Sequence, residues 1–133
     1  MIIHTNALTF VDTIGRYFAA LERGDVDALT SLFSPSATID SPWFGRLGPA
    51  EFFELLSGST HSSAIDRPEV FVSAAGSQRA MSCFTYQWTL KDGSAATFPC
   101  FDVFEFARDG RISALAIVYD VAAVKRSLVE SVR

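Results

Sequence analysis

Residues 80–106 read AMSCFTYQWTLKDGSAATFPCFDVFEF and decide the fold. Apolar and polar side chains alternate on both sides of Asp92-Gly93, a dipeptide typical of the tight turn in a β-hairpin. A two-residue turn at this point pairs Lys91 with Ser94 and fixes every later pair along the two strands. The stretch therefore predicts a long antiparallel hairpin.

The register of this turn predicts which side chains share a face. One face is expected to carry Phe84, Tyr86, Trp88, Thr97, Pro99 and Phe101. The other face is expected to carry Met81, Cys83, Thr85, Gln87, Phe98, Cys100, Asp102 and Phe104. Helices can cover only one of two apolar faces, so the second set predicts an outer face that forms a two-fold homodimer. Asp102 is expected there, in an interface hydrogen bond or ion pair rather than in catalysis.

Before the hairpin the periodicity is helical. Over residues 8–21 a buried helix face is predicted from Leu8, Val11, Ile14, Phe18 and Leu21. Gly24 fits the position just after a helix end, and Asp25 can cap a second helix over residues 26–33. The sequence therefore predicts two helices joined by a short linker.

A short strand is predicted at residues 37–40, and Pro42 ends it. Gly48-Pro49 begins a third helix. Residues 57–63 are small and polar, and this composition predicts a loop.

The remaining chain predicts more strands and one helix. Alternation at residues 70–72 and 112–119 indicates strands of an antiparallel meander, and Asp120 can cap a last helix through Leu128. Helices first and strands afterwards give the α+β class, with helices packed on one face of a curved sheet. Residues 1–133 are expected to form a single domain.

Composition excludes several functions. The net charge of −4, from 15 acidic and 11 basic residues, provides no basic stripe for nucleic acid. Neither a signal peptide nor a membrane-spanning run is visible. Phe accounts for 12 of the aromatic residues, more than a small core needs, and this excess suggests an aromatic cavity.

Cysteine and histidine usage predicts a protein without a metal or cofactor. Cys83 and Cys100 match no metal or redox spacing, and free thiols indicate a cytoplasmic protein. His4 and His61 are the only histidines, too few for a histidine-rich site.

Several stretches together resemble a known family. They are RYFAALERGD at residues 16–25, ATIDSP at residues 37–42 and FDVFEF at residues 101–106, with Tyr119-Asp120 near the end. The chain resembles the nuclear transport factor 2-like superfamily, specifically its SnoaL-like and ketosteroid-isomerase branches. The resemblance implies a cone-shaped α+β barrel with a deep apolar pocket, which usually dimerises through the outer sheet face.

The resemblance carries over only part of a catalytic set. Tyr17 matches the oxyanion donor of the isomerases, although a core Tyr with a structural hydrogen bond remains the alternative. Ser41 stands where their general base lies, and Asp40 comes one residue earlier. Period-2 alternation turns Asp40 away from the pocket unless a bulge re-aims it. The second oxyanion acid corresponds to Pro99.

Two other polar residues are weighed for catalysis. His61 is a candidate acid or base near the cone's mouth, or an ordinary surface histidine. Asp120 lies at a strand end but is explained as a helix cap.

A set of aromatic residues is expected to line the pocket: Trp43, Phe44, Phe53, Tyr86, Trp88, Phe101 and Tyr119. Such walls suit a small, flat, mostly apolar ligand. The predicted chemistry is cofactor-free proton transfer in an isomerase, cyclase or dehydratase, with Tyr17 as oxyanion donor and Asp40 or His61 as base. The alternative is a non-catalytic dimeric module. A cavity above about 300 Å³ favours the first function, and a collapsed cavity favours the second.

Overall fold

The computed structural model describes residues 5–132, so His4 lies outside the described residues. They form four helices and six strands, in the order α1 Thr5–Arg23, α2 Val26–Ser31, β1 Phe33–Ser41, β2 Gly45–Leu47, α3 Pro49–Ser59, β3 Thr60–Val72, β4 Arg79–Leu90, β5 Ala95–Phe106, β6 Ile112–Val118 and α4 Val121–Glu130. None of these helices is long and apolar enough to cross a lipid bilayer.

All six strands belong to one curved sheet in the order β2-β1-β6-β5-β4-β3. Neighbouring strands run antiparallel except β1 and β6, which are parallel. The core lies between the helices and one face of this sheet. The predicted α+β class is therefore confirmed.

Helix α1 buries part of the predicted stripe, since Ile14, Phe18 and Leu21 lie in the core as predicted. Phe10, Ile14 and Tyr17 lie on the core side, and the Phe10 ring stacks on Phe106 with 4.0 Å between centroids. Leu8 and Val11, which were predicted to be buried, are exposed. At 100° per residue Leu8 lies nearly opposite Phe10, and Val11 lies at the edge of the buried stripe, about 100° from Phe10.

The predicted helix caps at two acidic residues are confirmed. The Asp25 carboxylate accepts a hydrogen bond from the Ala28 N–H at 3.1 Å, and the Asp120 carboxylate accepts one from Ala123 at 3.2 Å. Gly24, with φ of 66°, ends α1 in the left-handed conformation that favours glycine.

The hairpin has a three-residue loop, and the predicted two-residue turn is wrong. Leu90 pairs with Ser94, the Leu90 N–H donating to the Ser94 carbonyl at 2.8 Å, and Gly93 has a φ of 91°. A left-handed glycine is what a three-residue hairpin loop requires at its last position. Every pair is therefore shifted by one residue, so that Phe84 lies opposite Cys100.

This shift exchanges the two faces of β5. Phe98, Cys100, Asp102 and Phe104, which were predicted on the outer face, all point into the core. Phe101 points outward and is 42% exposed, although it was predicted to face the pocket. A one-residue slip moves a whole strand face because side chains alternate with a period of two.

Residues 57–63 do not form the predicted loop. Helix α3 continues to Ser59 and β3 starts at Thr60, paired with Leu90 of β4. Strand β3 is an edge strand of the sheet, where polar side chains are common because they discourage pairing with other chains. The polar composition therefore reflects an edge strand.

Candidate functional site

A small aromatic cavity lies between the helices and the inner sheet face. It is bordered by Tyr17, Leu21, Ser41, Trp43, Phe44, Phe52, Leu56, Phe84, Tyr86, Trp88, Phe98, Cys100, Asp102, Ile117 and Tyr119. Its walls come from α1, β1 and the turn after it, α3, and the strands β4 to β6. We call it the aromatic cavity.

The aromatic cavity is small. Its volume is about 50 Å³. The volume lies below the 300 Å³ expected for a ligand pocket of drug size.

Asp102 is the carboxylic acid of the aromatic cavity. Its side chain is 2% exposed and lies on β5 opposite Ser82 of β4. The Cys100 thiol, two residues earlier on the same face, donates to the Asp102 Oδ1 at 3.8 Å. Burial raises the pKa of Asp102 to about 7, and the Cys100 hydrogen bond opposes this rise. None of the ion pairs between residues 5 and 132 includes Asp102.

The serine opposite Asp102 is also unusual. Ser82 is fully buried, and its hydroxyl has no hydrogen-bond partner among the described residues. A buried hydroxyl without a partner costs free energy, so native structures rarely keep one without a reason. The inner face at Asp102 thus holds more polar groups than the protein itself satisfies.

Tyr17 places a phenol in the same cavity. The side chain is 2% exposed and packs edge-on against Phe104, with 5.5 Å between ring centroids. Burial and then the nearby Asp102 raise the pKa of Tyr17 well above its usual value. The hydroxyl therefore stays protonated and can donate a hydrogen bond to a bound ligand.

Two further tyrosines are held at the wall. The Tyr86 hydroxyl and the Ser63 hydroxyl share a hydrogen bond of 2.6 Å, and burial raises the pKa of Tyr86. Tyr119 packs on Phe98 at 5.0 Å between centroids, and burial raises the pKa of Tyr119 to about 12. Both phenols are neutral near pH 7.

The tryptophans form the outer end of the wall. Trp88 and Trp43 pack edge to face with 5.3 Å between ring centroids, and the Trp88 Nε1 donates to the Thr60 hydroxyl at 2.9 Å. Lys125 of α4 lies with its Nζ 5.9 Å from the Trp43 ring centroid, a cation–π contact. Trp43 belongs to the turn between β1 and β2, so this turn borders the cavity.

The structure brings together most of the aromatic residues expected in the site. Those that border the aromatic cavity are Trp43, Phe44, Tyr86, Trp88 and Tyr119. Phe53 is not among the bordering residues, because it is buried in the core beside Tyr17 and Phe33. Phe101 lies on the outer face.

The two candidate bases lie outside the aromatic cavity. Asp40 points away from the cavity. Its carboxylate forms a bidentate ion pair with the Arg46 guanidinium, with N–O distances of 2.8 and 3.1 Å. The Arg46 hydrogen bonds lower the pKa of Asp40. His61 is exposed on β3. Alternation along β1 instead turns Ser41 inward, where its hydroxyl accepts from the Trp43 and Phe44 N–H groups.

Asp102 was assigned to the wrong face by the sequence reasoning, although β5 itself carries the signal. Residues 96, 98, 100, 104 and 106 are Ala, Phe, Cys, Phe and Phe, whereas residues 97, 99, 101, 103 and 105 are Thr, Pro, Phe, Val and Glu. The first set is the more apolar and predicts the inner face, with Asp102 as its only charged member. The assumed turn length overrode this pattern.

No cluster of His, Cys, Asp and Glu suited to a metal ion is present within residues 5–132. The polar side-chain groups of the residues bordering the aromatic cavity are hydroxyls, two indole N–H groups, one thiol and one carboxyl. This set can donate hydrogen bonds and exchange one proton near neutral pH.

Comparison with known families identifies the group to which this fold belongs. The SnoaL-like domain matches residues 14–115, which is most of the chain. The chain belongs to the SnoaL-like domain family. No curated protein matches this SnoaL-like chain in sequence at a significant level.

Solved structures share the fold of this SnoaL-like domain at low sequence identity. A candidate polyketide cyclase from Xanthomonas campestris matches with a TM-score of 0.80 and 18% identity, covering 92% of this chain and 99% of its own. A candidate isomerase from Bacillus subtilis matches at 0.77 and 20%, covering 93% and 95%. An LEH-like epoxide hydrolase from Mycobacterium tuberculosis matches at 0.71 and 17%, covering 94% and 92%. These likenesses establish the nuclear transport factor 2-like cone fold.

Proposed function

We propose that the aromatic cavity binds a small, mostly apolar molecule carrying an oxygen atom and transfers a proton on it without a cofactor. Asp102 carries this proposal, because it is a buried carboxyl without an ion-pair partner among the described residues, within an aromatic cavity. A group whose pKa lies near the working pH can both give and take a proton, and the pKa of Asp102 is about 7.

Tyr17 has the second role in the proposal. Its phenol donates a hydrogen bond to the oxygen of the substrate, and this bond strengthens as negative charge develops on that oxygen. The apolar surroundings favour this role, since hydrogen bonds are stronger where water is excluded. Asp102 then acts as the base, the role that the sequence analysis predicts for Asp40 or His61.

The relatives support this class of reaction. Cyclisation, isomerisation and epoxide hydrolysis, the activities named for the three similar structures, can each proceed by proton transfer at a carbonyl or epoxide. Identities of 17 to 20% support the fold, and the reaction of this chain is inferred from its own residues.

The cavity volume narrows the substrate. A cavity of about 50 Å³ suits a small ketone or epoxide better than a polycyclic molecule.

The proposal is tested by proton exchange on small ketones in deuterated water, followed by NMR. Asp102→Asn is expected to lower the exchange rate by about 100-fold or more, the usual contribution of a positioned acid or base. Asp40→Asn is the matched control, because Asp40 lies outside the cavity, and it is expected to leave the rate unchanged. Equal rates in the wild type and Asp102→Asn would refute the role of Asp102.

The small volume also favours a second candidate function. If the chain's own aromatic rings fill the cavity, the domain is a non-catalytic module. Such a module is expected to show no exchange on any small ketone or epoxide, and no ligand-induced change in the NMR signals of Tyr17 or Trp88.

We further propose that the domain is a homodimer through the outer sheet face, with a corrected set of residues. Phe71, Met81, Phe101 and Val118 are exposed there on four neighbouring strands. Phe71 pairs with Met81, and Phe101 pairs with Val118, so the apolar side chains form two rows suited to a two-fold contact. Phe101→Lys is expected to give monomers in sedimentation. A monomeric wild type at micromolar concentration would contradict the dimer.

A further inference from the structure

The Asp102 carboxylate lacks an opposite charge. Asp40 has such a partner in Arg46, and Asp109 has one in Arg111. Asp102 has the Cys100 thiol at 3.8 Å, a weak and neutral donor. Buried charges in proteins are normally paired. A ligand that brings a positive charge would therefore satisfy this carboxylate when it is ionised.

The walls of the aromatic cavity suit the same charge. Trp43 and Trp88 meet edge to face, as do Tyr86 and Phe98, with ring centroids 5.3 and 5.6 Å apart. The face of an aromatic ring attracts a cation, and proteins use groups of aromatic rings to hold alkylated ammonium ions. The alkyl groups of such an ion also match the apolar lining.

We infer that the aromatic cavity binds small alkylammonium ions, with the alkyl groups against its aromatic walls and the positive charge beside the Asp102 carboxylate. This inference goes beyond the proposed function, which concerns a neutral substrate. It rests on the same cavity and on the charge state of the same residue. Tetramethylammonium, with five non-hydrogen atoms, is the probe of this site because its four methyl groups surround a single positive charge.

Only one of the titratable groups facing the cavity changes its charge near neutral pH. Tyr17 on α1 and Tyr86 on β4 have pKa values that burial raises, and burial raises the pKa of Tyr119 after β6 to about 12. Burial and the nearby Asp102 also raise the pKa of Cys100 on β5. These four groups stay neutral, so the pH dependence of cation binding is expected to follow Asp102.

Lys125 of α4 is the charged group on the rim, 5.9 Å from the Trp43 ring centroid. It competes for the same aromatic surface and repels a bound cation. Removing its charge is therefore expected to improve cation binding.

The experiment compares tetramethylammonium chloride with tert-butanol, a neutral molecule that also has five non-hydrogen atoms, by NMR titration of labelled protein. At pH 8 the wild type is expected to bind the cation at least tenfold more tightly than the alcohol. With the pKa of Asp102 at about 7, the affinity for the cation is expected to fall roughly 30-fold from pH 8 to pH 5.5, because protonation removes the charge. The affinity for the alcohol should not follow this pH change.

Two variants complete the test. Asp102→Asn is expected to abolish the preference for the cation, so that this variant binds tetramethylammonium and tert-butanol with affinities within about threefold of each other. Lys125→Gln, on the exposed rim and outside the core, should raise the affinity for the cation about two- to threefold. If the wild type or the Lys125→Gln variant binds tetramethylammonium and tert-butanol equally tightly at pH 8, the inference is wrong.

The outcome also separates this inference from the proposed function. No preference for the cation, together with ketone exchange that depends on Asp102, would reject the ammonium site and retain the proton-transfer function. Strong cation binding without any exchange would support the ammonium site and reject the proton-transfer function.

Discussion

Asp40 and Asp102 carry the same side chain in opposite surroundings. Asp40 lies at the end of β1, exposed and paired with Arg46, whose hydrogen bonds lower its pKa. Asp102 lies in the middle of β5, buried and unpaired among the described residues, and burial raises its pKa to about 7. Water and a counter-charge make Asp40 a permanent anion, whereas their absence makes Asp102 a group that can exchange a proton.

The same contrast separates Phe104 from Phe101, three residues apart on β5. Phe104 is fully buried against Tyr17 and Phe106, whereas Phe101 is 42% exposed on the outer face. The residue type does not decide these roles. The position along the strand decides them, because successive side chains of a strand point to opposite faces.

The largest expected effect separates these two phenylalanines. Phe104→Ala is expected to lower the free energy of unfolding by about 3–5 kcal/mol, since it leaves a void among packed rings. Phe101→Ala is expected to lower the free energy of unfolding of the monomer by less than about 1 kcal/mol, because in the monomer part of the ring already contacts water. Urea denaturation of both variants measures this difference. Similar losses for the two variants would mean that the strand register is wrong.

The next largest effect concerns the pH dependence of stability. The unfolded state releases the Asp102 proton near pH 4, whereas the folded state keeps it to about pH 7. The unfolded state therefore binds fewer protons in this window, and the stability contributed by Asp102 falls as pH rises from 4 to 7. The full loss is on the order of 4 kcal/mol for a shift of this size.

Asp102→Asn should remove this dependence. Its stability relative to the wild type is expected to increase from pH 4 to pH 7 and to stay constant above that. Urea denaturation at pH 4, 5.5, 7 and 8 measures the change. A difference that does not vary with pH would argue against a buried neutral acid.

A smaller effect is expected at Tyr17. Tyr17→Phe keeps the ring packed against Phe104 and removes one hydroxyl that borders the cavity. The affinity for a small ketone should fall by about 0.5–1.5 kcal/mol, the usual contribution of one hydrogen bond. Thermal unfolding measures the stability of the variant, and titration with a ketone measures its affinity. Lost stability with unchanged affinity would assign Tyr17 to the core alone.

The smallest effect is expected at Asp40. Asp40→Asn breaks an exposed ion pair, and such pairs contribute little to stability. The denaturation midpoint should stay within experimental error of the wild type at 0.15 M salt. A clear shift in the midpoint, or loss of ketone exchange, would mean that Asp40 has a role beyond the surface.

Much of the fold could be predicted from local patterns. Asp25 and Asp120 were recognised as helix caps because their carboxylates need only the nearest backbone N–H groups. The outward direction of Asp40 followed from alternation along β1. These predictions depend on a few residues close in sequence, where short-range geometry decides the outcome.

The site could be predicted only in part, because it depends on the strand register. The extra loop residue, Lys91, shifts all pairs of β4 and β5, so one local error moved Asp102, Phe98 and Phe101 to the wrong faces. Trp88 and Tyr86 were assigned correctly because the burial pattern of β4 alone determines their face. The volume of the cavity depends on how all its side chains pack, and no sequence pattern contains that.

The pKa of Asp102 tests the account most directly. Carbon-13 labelling of the aspartate side chains, with Asp102→Asn to assign the signal, allows its carboxyl carbon to be followed by NMR from pH 3 to pH 9. The account predicts a midpoint of about 7 for Asp102, while Asp40 titrates below its usual range. A midpoint near 4 for Asp102 would contradict the buried, unpaired carboxyl and the functions proposed from it.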